Sequence, residues 1–229
     1  MCNEIWYLIR MNSVITFEPV EHKYTNQHGD EYISVTTLIG KEMPFDSKAI
    51  AEKVRKIGSS RYHNMTTERI LALWDASAEH GTVVHDMVEQ YIKDDIVPSD
   101  PSLVPLLDQF KRLNFRGDLL SEVLVWSDKY KVAGLVDILE VFDDKIFLYD
   151  IKTSNRIGDD KYMKFSMQLE MYRRFIEESF NKPTSTIAIL WYEDYVLKRS
   201  KTKLKMLQTL HVEDSVDDIL EKRLKEITC

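Results

Sequence analysis

The stretch GLVDILEVFDDKIFLYDIKTS, residues 134–154, constrains the fold more than any other part of the chain. Two runs of apolar, β-branched and aromatic residues flank Asp143-Asp144-Lys145, the pattern of two strands closed by a tight turn. With Asp143 and Asp144 as the turn residues, Asp137 falls opposite Asp150. Lys152, two residues further along the strand, shares a face with Asp150. A three-residue loop would shift this register by one and would need a bulge to bring the faces into agreement. Opposed residues of such a pair have Cβ atoms roughly 4.5–5.5 Å apart. Two carboxylates that close inside an apolar sheet are costly unless something cationic compensates them. A divalent cation fits between them, so the pattern predicts a metal site.

The rest of the chain frames this hairpin. Residues 14–39 alternate around NQHGD and include the β-branched YISVTTLI, which predicts another hairpin. Helical patterns are expected from about Ser47 to Ile57 and from Thr66 to Ala78. In GTVVHDMVEQYI, Val84, Met87, Val88, Tyr91 and Ile92 form the apolar stripe of a buried helix face. After VPSDPSLVP a short helix is expected around 103–114, and SEVLVW opens a three-strand meander ending at Lys152, with Trp126 given to packing. Residues 160–180 return to helix, and a crossover carries the apolar strand STIAILWY into the same sheet. The remainder, VLKRSKTKLKMLQTLHV and DSVDDILEKRLKEI, reads as two strands or a hairpin plus an amphipathic helix. The expected fold is α/β (α+β), a central mixed sheet flanked by helices. One domain over 1–229 has its core, a helix, three strands, a helix and a strand, at about 76–192. An N-terminal hairpin and helices occupy 1–75, and C-terminal strands and a helix occupy 193–229.

With 229 residues, 44% hydrophobic and 30% charged, the chain suits one globular domain. Its only cysteines, Cys2 and Cys229, exclude a disulfide framework, a cysteine zinc site and an iron–sulfur cluster. No apolar run approaches the roughly 18 residues of a membrane span. MCNEIWYLIRMNSV lacks a basic region followed by a small-residue cleavage site, so a cytoplasmic protein without membrane contact is expected. The net charge of −7 opposes a polyanionic partner unless a local basic patch meets it. Two runs offer one. LKRSKTKLK gathers Lys198, Arg199, Lys201, Lys203 and Lys205, and EKVRKIGSSRYH gathers Lys53, Arg55, Lys56 and Arg61 beside Tyr62. These cations can meet phosphates and Tyr62 can stack on an unpaired base, although both runs equally suit a solvated face.

Four motifs occur in order: HGTVVHDMVE on the helix, Gly134-Leu135-Val136-Asp137, Asp150-Ile151-Lys152, and QLEMY from Gln168 to Tyr172. Together they resemble the PD-(D/E)XK nuclease superfamily over about residues 80–192. The nearer likeness is to the branch holding RecB nuclease domains, the mitochondrial genome maintenance exonuclease and many phage exonucleases. The resemblance implies a restriction-endonuclease-like αβββαβ core. It also implies hydrolysis of DNA with one or two Mg²⁺ or Mn²⁺ ions.

In that setting His85, Asp137, Asp150 and the Ile151 carbonyl hold metal, and Lys152 stabilises the transition state. Glu122 is the acid of the first motif, and Gln168 and Tyr172 complete the catalytic set. Each has a plainer reading. His85 and Glu89 suit a polar helix surface, Glu122 an edge charge, and Tyr172 a core stripe with Phe165, Leu169 and Ile176. The implied partners are single-stranded DNA or duplex ends and a phage recombination or single-strand-binding protein, in a bacterial or phage-infected cell. The missing cluster cysteines set the chain apart from cluster-bearing relatives. Alternatives are a structure-specific or restriction-type endonuclease, and a non-catalytic acidic interaction protein on a nuclease-like fold.

Overall fold

A computed structural model of the chain describes residues 15–228 apart from 20, 22, 144, 181 and 194–201. The strands β1 (Ile15–Glu18), β2 (Lys23–Asn26) and β3 (Glu31–Ser34) form an antiparallel meander. Its second turn is closed by Asn26, whose Oδ1 accepts from His28 N and Asp30 N at 2.9 Å each, with Gly29 at φ 85°. The expected hairpin is shorter than its β-branched sequence suggested. At Ser34 the side-chain oxygen accepts from Thr37 N at 3.0 Å, capping α1 (Val35–Glu42). Burial of Val35, Leu38 and Ile39 along that helix overrides the β preference of VTTLI.

Helix α2 (Ser47–Val54) is capped by Asp46. The two helical patterns expected on either side of residue 80 are one 28-residue helix, α3 (Thr67–Asp94), capped by Thr66. Gly81 lies within it because a Cβ there would come within 2.8 Å of Thr153 Oγ1 on the neighbouring strand. Then follow α4 (Val104–Lys111), β4 (Asp118–Ser127), β5 (Val132–Phe142), β6 (Lys145–Ser154), α5 (Asp159–Phe180), β7 (Thr184–Glu193), β8 (Lys203–Gln208) and α6 (Glu213–Thr228). Only one strand is described in the stretch for which two were expected; residues 194–201 lie outside the described residues.

The eight described strands make one mixed sheet in the order β1-β2-β3-β5-β6-β7-β8, with β4 on β5. The β5–β6 ladder runs from Phe142–Lys145 to Ile138–Tyr149, the expected register, and its described pairs stop one short of Asp137 and Asp150. The expected crossover is present: α5 returns the chain so that β7 lies parallel to β6. β4 occupies one edge of β5 along residues 132–141. The other edge is divided, with β3 pairing parallel at Val132 and Ala133 and β6 pairing antiparallel from Ile138 onward. The sheet therefore forks between Gly134 and Asp137.

Helices cover both faces. On one, α1, α5 and α6 bury Leu38, Leu169, Phe175 and Ile219 against Val136, Leu139 and Leu148. On the other, α3 and α4 bury Val84, Val88, Leu107 and Phe110 against Ile138, Ile151 and Leu190. Each such side chain contributes about 1.5–3 kcal/mol. Trp126 packs with the N-terminal meander, as expected. Among the described residues no helix is long and apolar enough to cross a membrane.

Candidate metal centre

Asp137 stands at the fork, and the backbone around it is irregular. On β5 the residues facing the α5 side are Val132 and Val136 before it, then Leu139 and Val141 after it. On β4 they are Leu120 before Glu122, then Val123 and Val125 after it. The alternation thus switches parity in both strands at the same level, so each carries one extra residue and the ladder resumes without a change of register. Those extra residues are Asp137 and Glu122. Glu122 takes φ 52°, and among the described non-glycine residues with positive φ only it lies inside a strand. Asp137 alone among β5 residues joins none of the described ladders. Its Oδ2 instead accepts the Ile151 N–H at 2.6 Å.

His85, on α3, brings Nδ1 within 3.5 Å of the same Asp137 oxygen. One ligand atom each from His85, Glu122 and Asp137 lies within 4.8 Å of the others, a group that could hold a metal ion. Asp150 is nearby but differently engaged. Its Oδ2 meets Lys152 Nζ at 2.7 Å, and its Oδ1 accepts from Gln168 Nε2 at 3.2 Å. Gln168 also donates to Tyr172 Oη at 3.2 Å. A Cβ on Gly134 would come within 2.6 Å of the Tyr172 ring, so glycine is required there for the tyrosine to pack. Gly134, Tyr172, Gln168, Asp150 and Lys152 therefore form one chain of contacts, and Tyr172 serves the core and the site together. The two aspartates do not simply face each other: the extra residue turns Asp137 toward α3, while Asp150 belongs with α5.

Electrostatics separate the acids. Burial, then the charges of Asp137 and Glu89, push Glu122 up to about 7. Burial likewise raises Asp150 to about 6, against the opposing pull of Lys152. Burial also works against ionised Asp137, but the His85 ring, Lys152 and the Ile151 amide outweigh it and hold its pKa below the ordinary carboxylate range. Burial opposes a charged His85 too, and Asp137 more than reverses this, raising it.

The imidazole of His85 and the carboxylates of Glu122 and Asp137 form a donor set that could hold a metal ion. Asp150 Oδ2 is fully buried, and despite the nearby ammonium it accepts no aligned hydrogen bond. Carboxylate oxygens with one imidazole suit Mg²⁺ or Mn²⁺. Ile151 is buried on β6 beside them, its amide held by Asp137.

A cavity of about 870 Å³ opens from His85 and Thr153 toward Phe45, α2 and the segment at Arg61 and Tyr62. Arg61 and Tyr62 line it, whereas Lys53 and Lys56 are exposed elsewhere on the surface and Arg55 is tied by Nε to the Met65 carbonyl at 2.9 Å. Lys203 is exposed on the edge strand β8, and Lys205 pairs with Glu193 at 2.6 Å; Lys198, Arg199 and Lys201 lie outside the described residues. Sequence reasoning missed Phe45, Trp74, Lys161 and Lys164, which also line the cavity. They come from three separate segments with no shared motif, so only the fold brings them together.

No protein-family model matches the sequence. Over 69 residues the chain is 32% identical to an ATP-dependent helicase/nuclease component of Carboxydothermus hydrogenoformans, a match covering 29% of this chain and 6% of that much longer protein. Among solved structures, the crystal structure of SSO0001 is similar over 85% of this chain and 75% of that one, at a TM-score of 0.40 and 14% identity. The chain thus carries a partial sequence likeness to a helicase/nuclease component, and separately a residue group that could hold a metal ion.

Proposed function

We propose that the chain is a metal-dependent nuclease that hydrolyses phosphodiester bonds in DNA, acting at ends or on single strands. The observation that carries this reading is the convergence at one level of three adjacent strands. Glu122, Asp137 and the Asp150–Lys152 pair meet there, with His85 closing the site from α3. His85, Asp137, Asp150 and the Ile151 carbonyl would hold Mg²⁺ or Mn²⁺, with Glu122 supporting a second ion. The bound ion supplies neutralisation of phosphate charge and a water of lowered pKa.

The chain's own residues do the rest. Gln168, propped by Tyr172, holds one oxygen of Asp150, and Lys152 Nζ stands 2.7 Å from the other. Asp137 orients the His85 ring. Lys152, kept cationic by Asp150 and Asp137 despite its burial, places a fixed positive charge where negative charge develops on the phosphate. Arg61 and Tyr62 lie where an incoming strand would pass, and Lys53, Lys56 and Lys203 offer further phosphate contacts.

The test uses end-labelled linear DNA, single- and double-stranded, and closed circular DNA, with Mg²⁺, Mn²⁺ or EDTA. Linear DNA should be degraded with either metal and spared in EDTA, while circles survive. Cutting of closed circles would reassign the protein as an endonuclease. No cleavage under any of these conditions would leave the non-catalytic reading.

A further inference from the structure

We propose that the cavity beside the metal centre takes unstacked nucleobases of a DNA single strand, an inference that rests on the nuclease reading for the identity of its polymer. The cavity of about 870 Å³ falls within the roughly 300–1,000 Å³ of pockets that enclose small organic groups. One end is formed by His85 and by Thr153, the residue that follows Lys152. A strand with a phosphate at Lys152 therefore has its neighbouring nucleotide at the mouth of the cavity.

The walls match that occupant in shape and in charge. Phe45, Tyr62, Trp74 and Phe165 supply flat apolar surface. The indole N–H of Trp74 is already satisfied, because Nε1 donates to Tyr62 Oη at 3.0 Å with the rings edge to face. Phe45, tilted against Trp74, is 56% exposed, an apolar surface left open where covering it would be favourable. Although the chain has a net charge of −7, no acidic residue among the described residues lines the cavity, while Arg61, Lys161 and Lys164 do. Arg61 lies over the Tyr62 ring at 4.8 Å, and Lys161 has no carboxylate partner among the described residues. Aromatic faces with cations and no acid are what bases joined by phosphates require. Bases inside an intact duplex are stacked and hidden, so the occupant is a single strand or a frayed end. Stacking on flat faces also makes the subsite tolerant of sequence.

The test measures binding by fluorescence anisotropy in EDTA, where nothing is cut. The probes are labelled single-stranded oligothymidylate, an oligomer of equal length built only of abasic nucleotides, and a blunt duplex. Wild type should bind oligothymidylate at least tenfold more tightly than the abasic oligomer, in line with the strength of base–aromatic stacking. Phe45→Ala should lose about tenfold on oligothymidylate and nothing on the abasic oligomer. Lys161→Gln, which removes a charge, should lose affinity for both. Phe45 is exposed, so its truncation leaves the fold standing, and matched melting curves check this. Equal losses on both oligomers for Phe45→Ala, or no loss on either, would overturn the proposal. Wild type that binds as described but cuts nothing with Mg²⁺ or Mn²⁺ would sink the nuclease reading and sustain the base-binding cavity. Wild type that cuts single strands while Phe45→Ala binds them unchanged would do the reverse.

Discussion

Glu122 concentrates two unfavourable features in one residue, a left-handed backbone inside a strand and a carboxylate pushed up to about 7 by burial and by Asp137 and Glu89. Glu122→Gln removes the charge while keeping shape and backbone. The folded protein binds the Glu122 proton more tightly than the unfolded chain does, so between about 4.5 and 7 metal-free stability should fall as pH rises. That shift corresponds to about 3 kcal/mol at most, and the partial exposure of Glu122 reduces it to about 1–2 kcal/mol. Asp150 has a raised pKa and the same sign of slope, but it is present in both proteins and cancels in their difference.

The experiment is thermal unfolding in EDTA at pH 5 and pH 8. At pH 5 the variant should melt close to wild type, and at pH 8 it should melt higher, by about 2–8 °C for a domain of this size. Added Mn²⁺ should raise the wild-type melting temperature at pH 8, because an ion bound only by the folded state stabilises it, and Glu122→Gln should lose part of that gain. A stability difference of equal size at both pH values would refute the argument, since it would come from packing and not from the buried charge.

Replacing Lys152 with Ala should lower kcat by on the order of a hundredfold or more while calorimetry still finds Mn²⁺ binding; retention of more than about a tenth of the rate would remove Lys152 from the chemistry. For His85→Ala, calorimetry should show weaker Mn²⁺ binding, by more than the roughly tenfold that loss of a supporting group costs. An unchanged dissociation constant would leave His85 as a partner of Asp137 only. Gly134→Ala forces a Cβ to within 2.6 Å of the Tyr172 ring and should cost about 1–3 kcal/mol in urea denaturation. An unshifted midpoint would mean that the ring can move aside.

Local pattern carried much of this far. The tight turn after Phe142 set the β5–β6 register, because a short hairpin connection fixes which residues pair on either side of it. The helix stripe around His85 and the crossover into β7 were equally legible, as periodicity and connection handedness are local rules. VTTLI was misread because Ser34 caps a helix whose tertiary burial outweighs β propensity. The paired extra residues at Glu122 and Asp137 were not legible in sequence, since a switch opposite another switch preserves the register, and a strand apolar on both faces hides the change of parity. That switch is why Asp137 groups with His85 and Glu122 while Asp150 groups with Lys152 and Gln168. The basic runs could not be ranked either. Charge counts ignore direction, and only Arg61 and Tyr62 of the first run reach the cavity.

The fork on β5 also has a mechanical meaning. A sheet resists shear along its hydrogen-bonded ladders and yields where rungs are missing. Here the wing made of β1, β2 and β3 is joined to β5 by the rungs at Val132 and Ala133, and the wing made of β6, β7 and β8 by those from Ile138 onward. β5 is the shared spar, held between the wings, among the described ladders, by β4 alone at Gly134, Leu135 and Val136, and bending between the wings would concentrate in the span from there to Asp137. Asp137, outside every described ladder of β5, lies in that span, so rotation of one wing against the other would act first on the spacing between Asp137 and its neighbours.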